Sequence, residues 1–132
     1  MFELDYIMRI LQNFFEDVAK IIHGKQRPND EQQLEAFGDL YQNYLKNGRD
    51  EYYETSSDSL IVSFNNDSDG IYKAEMLATL LYHDAFLKKN GITKKELLEK
   101  SLALLRYVDA QSNVFSLERK EMIEIIEEML FY

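Results

Sequence analysis

Cysteine is absent from the 132-residue chain, which excludes disulfides, thiolate metal sites and thiol nucleophiles together. Histidine occurs only twice and there is no glycine-rich phosphate loop, so a three-ligand zinc site or a nucleotide site has almost no material, and no cofactor is expected. Positive charge is scarce too. Fifteen Lys and Arg stand against 24 Asp and Glu, for a formal net charge of -9 and a pI of about 4.7. That balance repels phosphate backbones and anionic headgroups, so neither nucleic acid nor membrane is an expected partner. Proline occurs once, at Pro28, and no low-complexity linker divides the chain. The apolar opening, MFELDYIMRILQNFFEDVAKIIHG, is not read as an export signal, because Glu3 and Asp5 come first and Arg9, Gln12 and Asn13 interrupt it. The same interruptions make it a poor transmembrane helix. With no cysteine and no export signal, a cytoplasmic protein is expected.

What is present is apolar material. Hydrophobic residues make up 45% of the chain, with 8 Phe and 9 Tyr, far more than a disordered acidic chain carries, and the length suits a single domain over 1–132. Apolar residues Ile7, Met8, Leu11, Phe14, Phe15, Val18 and Ile22 alternate with polar ones at three-four spacing, predicting a first helix over 3–23 with a stop at Gly24. Pro28, Asn29 and Asp30 start a second, from Asp30 to Asn47, burying Leu34, Phe37, Leu40, Tyr41, Tyr44 and Leu45 and ending at Gly48. From Arg49 to Phe64, LIVSF alone has strand composition, but Tyr53, Ser57, Leu60, Ile61 and Phe64 share one helical face, predicting a third helix. A polar turn, NNDSDG, leads to a fourth helix from Ile71 to Lys89, apolar on nearly every side and therefore central. Thr93 and Glu96 form a capping box for a fifth, after Asn90 and Gly91 end the fourth, and Ser116 caps a sixth. Short connections require antiparallel neighbours. The expected fold is all-α, a stack of antiparallel helical hairpins with about six helices.

The start MFELDYIMR, followed by an apolar helix, resembles a family of small all-helical bacterial proteins, found mostly in Firmicutes, whose members begin MFE-x-DYIMR. The resemblance runs on through LYQNYLKNGR and LLYHDAFLKKNGITKKELLEKSLALL. It implies a tetratricopeptide-like fold and assigns no activity. Phe37, Gly38 and Tyr41 fit the large, small and aromatic positions of a tetratricopeptide first helix, whereas DEYYETSSDS lacks the alanine and proline of the second.

Asn65, Asp67, Asp69 and Gly70 fall at positions one, three, five and six of an EF-hand loop, but position twelve is Met76 where a bidentate glutamate belongs, so no calcium site is expected. His83 and Asp84 are adjacent in a helix and point about 100° apart, which makes them a poor base–carboxylate dyad; His83 reads as a core histidine. His23, at the end of the first helix, needs only the helix dipole to account for it. Glu121, Glu124, Glu127 and Glu128 lack the Glu-x-x-His partner of a di-metal bundle and read as a solvated face.

Of the tyrosines, Tyr41, Tyr44, Tyr52, Tyr53, Tyr72, Tyr82 and Tyr107 cannot all be buried together, and tyrosine is enriched at binding surfaces. Tyr41, Tyr44 and Tyr82 are the candidate partner-binding residues. The leading functional reading is a non-enzymatic interaction module that binds a protein or peptide carrying basic residues. A homo-oligomer assembled through the first helix, 3–23, is the second reading, and a carboxylate-based enzyme or metal-binding bundle the third.

Overall fold

A computed structural model describes residues 2–24 and 28–132. The described residues form seven helices and no strand: α1 (Phe2–His23), α2 (Asp30–Leu45), α3 (Arg49–Glu54), α4 (Ser57–Asn65), α5 (Gly70–Leu87), α6 (Gly91–Gln111) and α7 (Leu117–Phe131). Residues 25–27, in the expected turn between the first two helices, and Met1 of the MFE run lie outside the described residues. No helix among the described residues is long and apolar enough to cross a membrane.

The expected third helix is two helices. Thr55 ends α3, its amide and hydroxyl both donating to the Glu51 carbonyl, and the Ser56 hydroxyl accepts from the Ser59 amide to start α4. The stretch Thr55-Ser56-Ser57-Asp58 thus outweighs the continuous apolar spacing, because its short polar side chains satisfy backbone groups that a helix would otherwise pair. Two further expectations are corrected at helix ends. Lys46, at φ 72°, takes the left-handed position that closes α2, while Gly48 is extended and precedes α3. Asn90 caps α6, its side chain accepting from the Ile92 and Thr93 amides, so the first turn begins before Thr93 and the Thr93–Glu96 box does not form. The Asn29–Gln32 capping box and the Ser116 cap stand where the sequence places helix starts.

Helix α5 is the centre of the core. It contacts α1, α2, α4 and α6, and Ala74, Leu77, Ala78, Leu80, Leu81 and Ala85 on it are all fully buried. Its alanines leave room for α6 to approach closely, and the Ser101 hydroxyl of α6 donates to the Ala78 carbonyl at 2.7 Å. Gly70, at the start of α5, is required by space: a Cβ there would stand 1.7 Å from the Phe64 carbonyl oxygen of α4. The second half of α1 joins the core through Phe14 and Val18, packing on α2 and α5. Leu4, Tyr6 and Met8 in its first half are exposed.

Candidate functional site

Two charged residues on α5, Glu75 and Asp84, are buried inside the otherwise apolar helix, and each is neutralised by an arginine from elsewhere in the chain. Asp84 is fully buried and accepts hydrogen bonds from Tyr41 (2.8 Å), Tyr53 (2.6 Å), Arg49 Nε (3.1 Å) and Arg49 Nη2 (2.9 Å). Arg49 Nη2 also donates to the Leu34 carbonyl, and its guanidinium lies 5.4 Å from the Tyr41 ring centre. A Cβ on Gly38 would stand 3.0 Å from Arg49 Nη1. The small residue at 38, which fits a tetratricopeptide position in sequence, therefore makes room for a guanidinium. Burial, then the Asp84 carboxylate, pushes the phenols of Tyr41 and Tyr53 well up, so both remain hydrogen-bond donors.

Arg119 of α7, 3% exposed, plays the same part for Glu75, donating to it at 2.9 Å while also reaching Asp109 and the Val114 carbonyl. Burial raises the Glu75 carboxyl despite that arginine. Lys100 of α6 donates to the Tyr52 and Tyr53 carbonyls at the end of α3, where a helix leaves carbonyls unpaired. Every buried side-chain nitrogen and oxygen among the described residues has a partner. These groups hold helices together, and their hydrogen bonding is taken up within the chain.

The three candidate tyrosines do not share a surface. Tyr41 is fully buried and its hydroxyl is bound to Asp84, so it cannot touch a partner. Tyr44 is half-buried between α1 and α2, edge-on to Phe14, and donates to Asp17 at 2.5 Å; burial and that bond push its phenol up to about 12. Tyr82 faces a depression. It lines a groove of about 370 Å³ with Phe37 of α2, His83, Phe86 and Leu87 of α5, Ile22 of α1, Gln33 of α2 and Ile125 of α7. Solvent reaches Phe86 and Ile125, which are 38% and 41% exposed.

The aromatic groups of the groove brace one another. His83 stacks on Phe37 at 5.3 Å, and Tyr82 meets His83 and Phe86 edge-on at 5.1 and 5.0 Å. Burial holds the His83 imidazole down at about 4, so it is neutral at physiological pH. Its charge state follows from this apolar setting, and the adjacent Asp84 carboxylate turns away to Arg49. On the α7 side the Glu121 carboxylate lies near enough to raise the Tyr82 phenol, second to burial. Glu124 and Glu128 are exposed on the same helix as Ile125 and line a separate depression with Phe131 and Tyr132. The Lys94 ammonium of α6 lies 4.8 Å from the Phe86 ring centre. His83, Phe86 and Ile125 carry no site signal in the sequence, since only the packing of α2, α5 and α7 tells which side of α5 stays open.

The EF-hand-like residues are engaged locally. Asp67 accepts from the Asp69 amide and from Lys73 at 2.6 Å, and Lys73 holds its carboxyl below the usual range. Among the described residues no group of three or more acidic or imidazole side chains is placed to hold a metal ion. Comparison with known proteins finds no matching family model, no matching curated protein and no matching solved structure.

Proposed function

We propose that the chain is a non-enzymatic interaction module whose groove takes an apolar side chain from a protein or peptide partner. One observation carries the reading: Tyr82, His83 and Phe86 of the central helix α5 and Ile125 of α7 form a partly exposed aromatic and aliphatic surface, with the Glu121 carboxylate beside it. Apolar grooves with few polar groups are the common form of a binding site, and aromatic anchors contribute most to interface affinity. Glu121 beside Tyr82, and the exposed Glu124 and Glu128 further along α7, favour lysine or arginine flanking the inserted side chain. A non-enzymatic role is supported by the buried carboxylates, each already bound to an arginine. The module is cytoplasmic on this reading, in keeping with a chain without cysteine. Its helices would then stack as tetratricopeptide-like hairpins, as in the bacterial family that the opening MFELDYIMR resembles.

Selection from a displayed peptide library tests the proposal. Enriched peptides should carry an aromatic or large aliphatic residue flanked by Lys or Arg, and should lose binding to the Ile125→Glu and Phe86→Ala variants. Enrichment of acidic peptides, or binding indifferent to both variants, would refute it.

A further inference from the structure

Helix α1 is longer than the helix it packs on, with 22 residues against 16 in α2. The Phe14 ring meets Tyr44, one residue before α2 ends, so roughly the first three turns of α1 extend past α2. Along one flank, Leu4, Met8, Leu11, Phe15, Ala19 and Ile22 form an apolar arc whose members are all exposed or half-buried. Their spacing reads nearly the same in both directions about residue 13. An antiparallel copy therefore sets Leu4 against Ile22, Met8 against Ala19 and Leu11 against Phe15.

The exposed charges beside this arc obey the same reversal with opposite sign. Asp5, Arg9, Glu16 and Lys20 run negative, positive, negative, positive, so an antiparallel copy brings Asp5 to Lys20 and Arg9 to Glu16, each pair occurring twice about the two-fold axis. A parallel two-fold copy would instead set these charges on opposite sides of the seam, away from one another. We propose that this flank of α1 is the seam of a two-fold homodimer, in which the helix pairs antiparallel with α1 of a second copy through the Arg9–Glu16 pairs and the Leu4-to-Ile22 arc. Pairing covers Leu4, Met8 and Ala19, which are exposed, together with the solvent-facing sides of Leu11, Phe15 and Ile22, whose other sides pack on the core of their own chain. Ile22, at the end of the arc, also lines the groove on α5, but Tyr82, His83, Phe86 and Ile125 take no part in the seam.

Analytical ultracentrifugation of the full chain up to about 100 μM, well above the Kd of a micromolar dimer, tests the proposal. The wild-type chain should be a dimer. Arg9→Glu and Glu16→Arg, both at exposed positions, should each weaken association about tenfold or more, since each turns two attractive pairs into repulsive ones. An equimolar mixture of the two variants should regain wild-type association, because the first variant is acidic at both positions and the second basic at both, so every pair across their shared seam is again one of opposite charge. A monomeric wild type overturns the proposal, as does a mixture no tighter than its components. A dimer insensitive to both reversals but lost in Phe86→Ala places the contact at the groove and overturns it too.

Discussion

Replacing Asp84 by alanine removes the single acceptor on which α2, α3 and α5 converge. In the folded chain its carboxylate takes hydrogen bonds from Tyr41, Tyr53 and two nitrogens of Arg49, at 2.6 to 3.1 Å. Breaking a buried ion pair by deleting one partner costs about 3–5 kcal/mol, because the other charge stays desolvated. Arg49 softens this, since its side chain is 18% exposed and can turn partly towards water. Tyr41 cannot, and a buried hydroxyl left without an acceptor costs about 1–3 kcal/mol. The two effects overlap, so the expected loss is about 4 kcal/mol, which lowers the melting temperature by about 12 °C for a chain of this size. Urea unfolding followed by circular dichroism gives the value directly. Tyr53→Phe, which removes one donor and leaves the ion pair intact, should cost only about 1 kcal/mol. The double variant Arg49→Met with Asp84→Leu should be more stable than Asp84→Ala, because no charge remains unpaired, although the bond to the Leu34 carbonyl is still lost. An Asp84→Ala loss below about 1 kcal/mol, or a double variant worse than the sum of its parts, would refute this account of the core.

Phe14→Ala should cost about 3–5 kcal/mol by the same unfolding measurement, since the ring is fully buried between α1 and α2; a loss under about 1 kcal/mol would mean that α1 is not part of the core. His83 is neutral in the fold, and its value of about 4 lies below the ordinary 6.5, so the unfolded chain takes up the proton first as pH falls. Its contribution is complete above about pH 6.5 and is lost between there and about pH 4; at about pH 5 the wild-type chain should have lost about 1–2 kcal/mol relative to His83→Phe. Equal pH dependence of the two proteins would show that His83 is not desolvated. Lys46→Gly should stabilise by about 1 kcal/mol, because Lys46 holds a left-handed conformation that glycine adopts freely. A destabilised Lys46→Gly protein would place the end of α2 elsewhere.

Periodicity and caps made much of this fold legible. Asn29 and Ser116 sit at helix starts, and the all-round apolar character of YKAEMLATLLYHDAFL correctly marks α5 as central. The break at Thr55–Ser56 was masked by an apolar face that continues across it, and the end of α2 fell to Lys46 because Gly48 is used to begin α3. The arginine pairings carried a signal that periodicity ignores. Glu75 and Asp84 are the acidic residues of a helix otherwise fit for burial, and a buried carboxylate needs a cation, which Arg49 and Arg119 supply from 35 and 44 residues away in sequence. Which of the tyrosines faces solvent depended on those same pairings. Tyr41 turns inward because Asp84 is there to receive it, and Tyr82, on the side of α5 between α2 and α7, does not.

Site-specific photocrosslinking in the cell of origin tests the central claim most directly. A crosslinking side chain at Ile125, on the groove, should yield a discrete adduct with another protein through a segment rich in lysine and arginine. The same side chain at Val62, 61% exposed on α4 and not among the residues that line the groove, should not. Adducts of equal yield from both positions, or adducts from Val62 alone, would contradict the assignment of the groove as the partner surface.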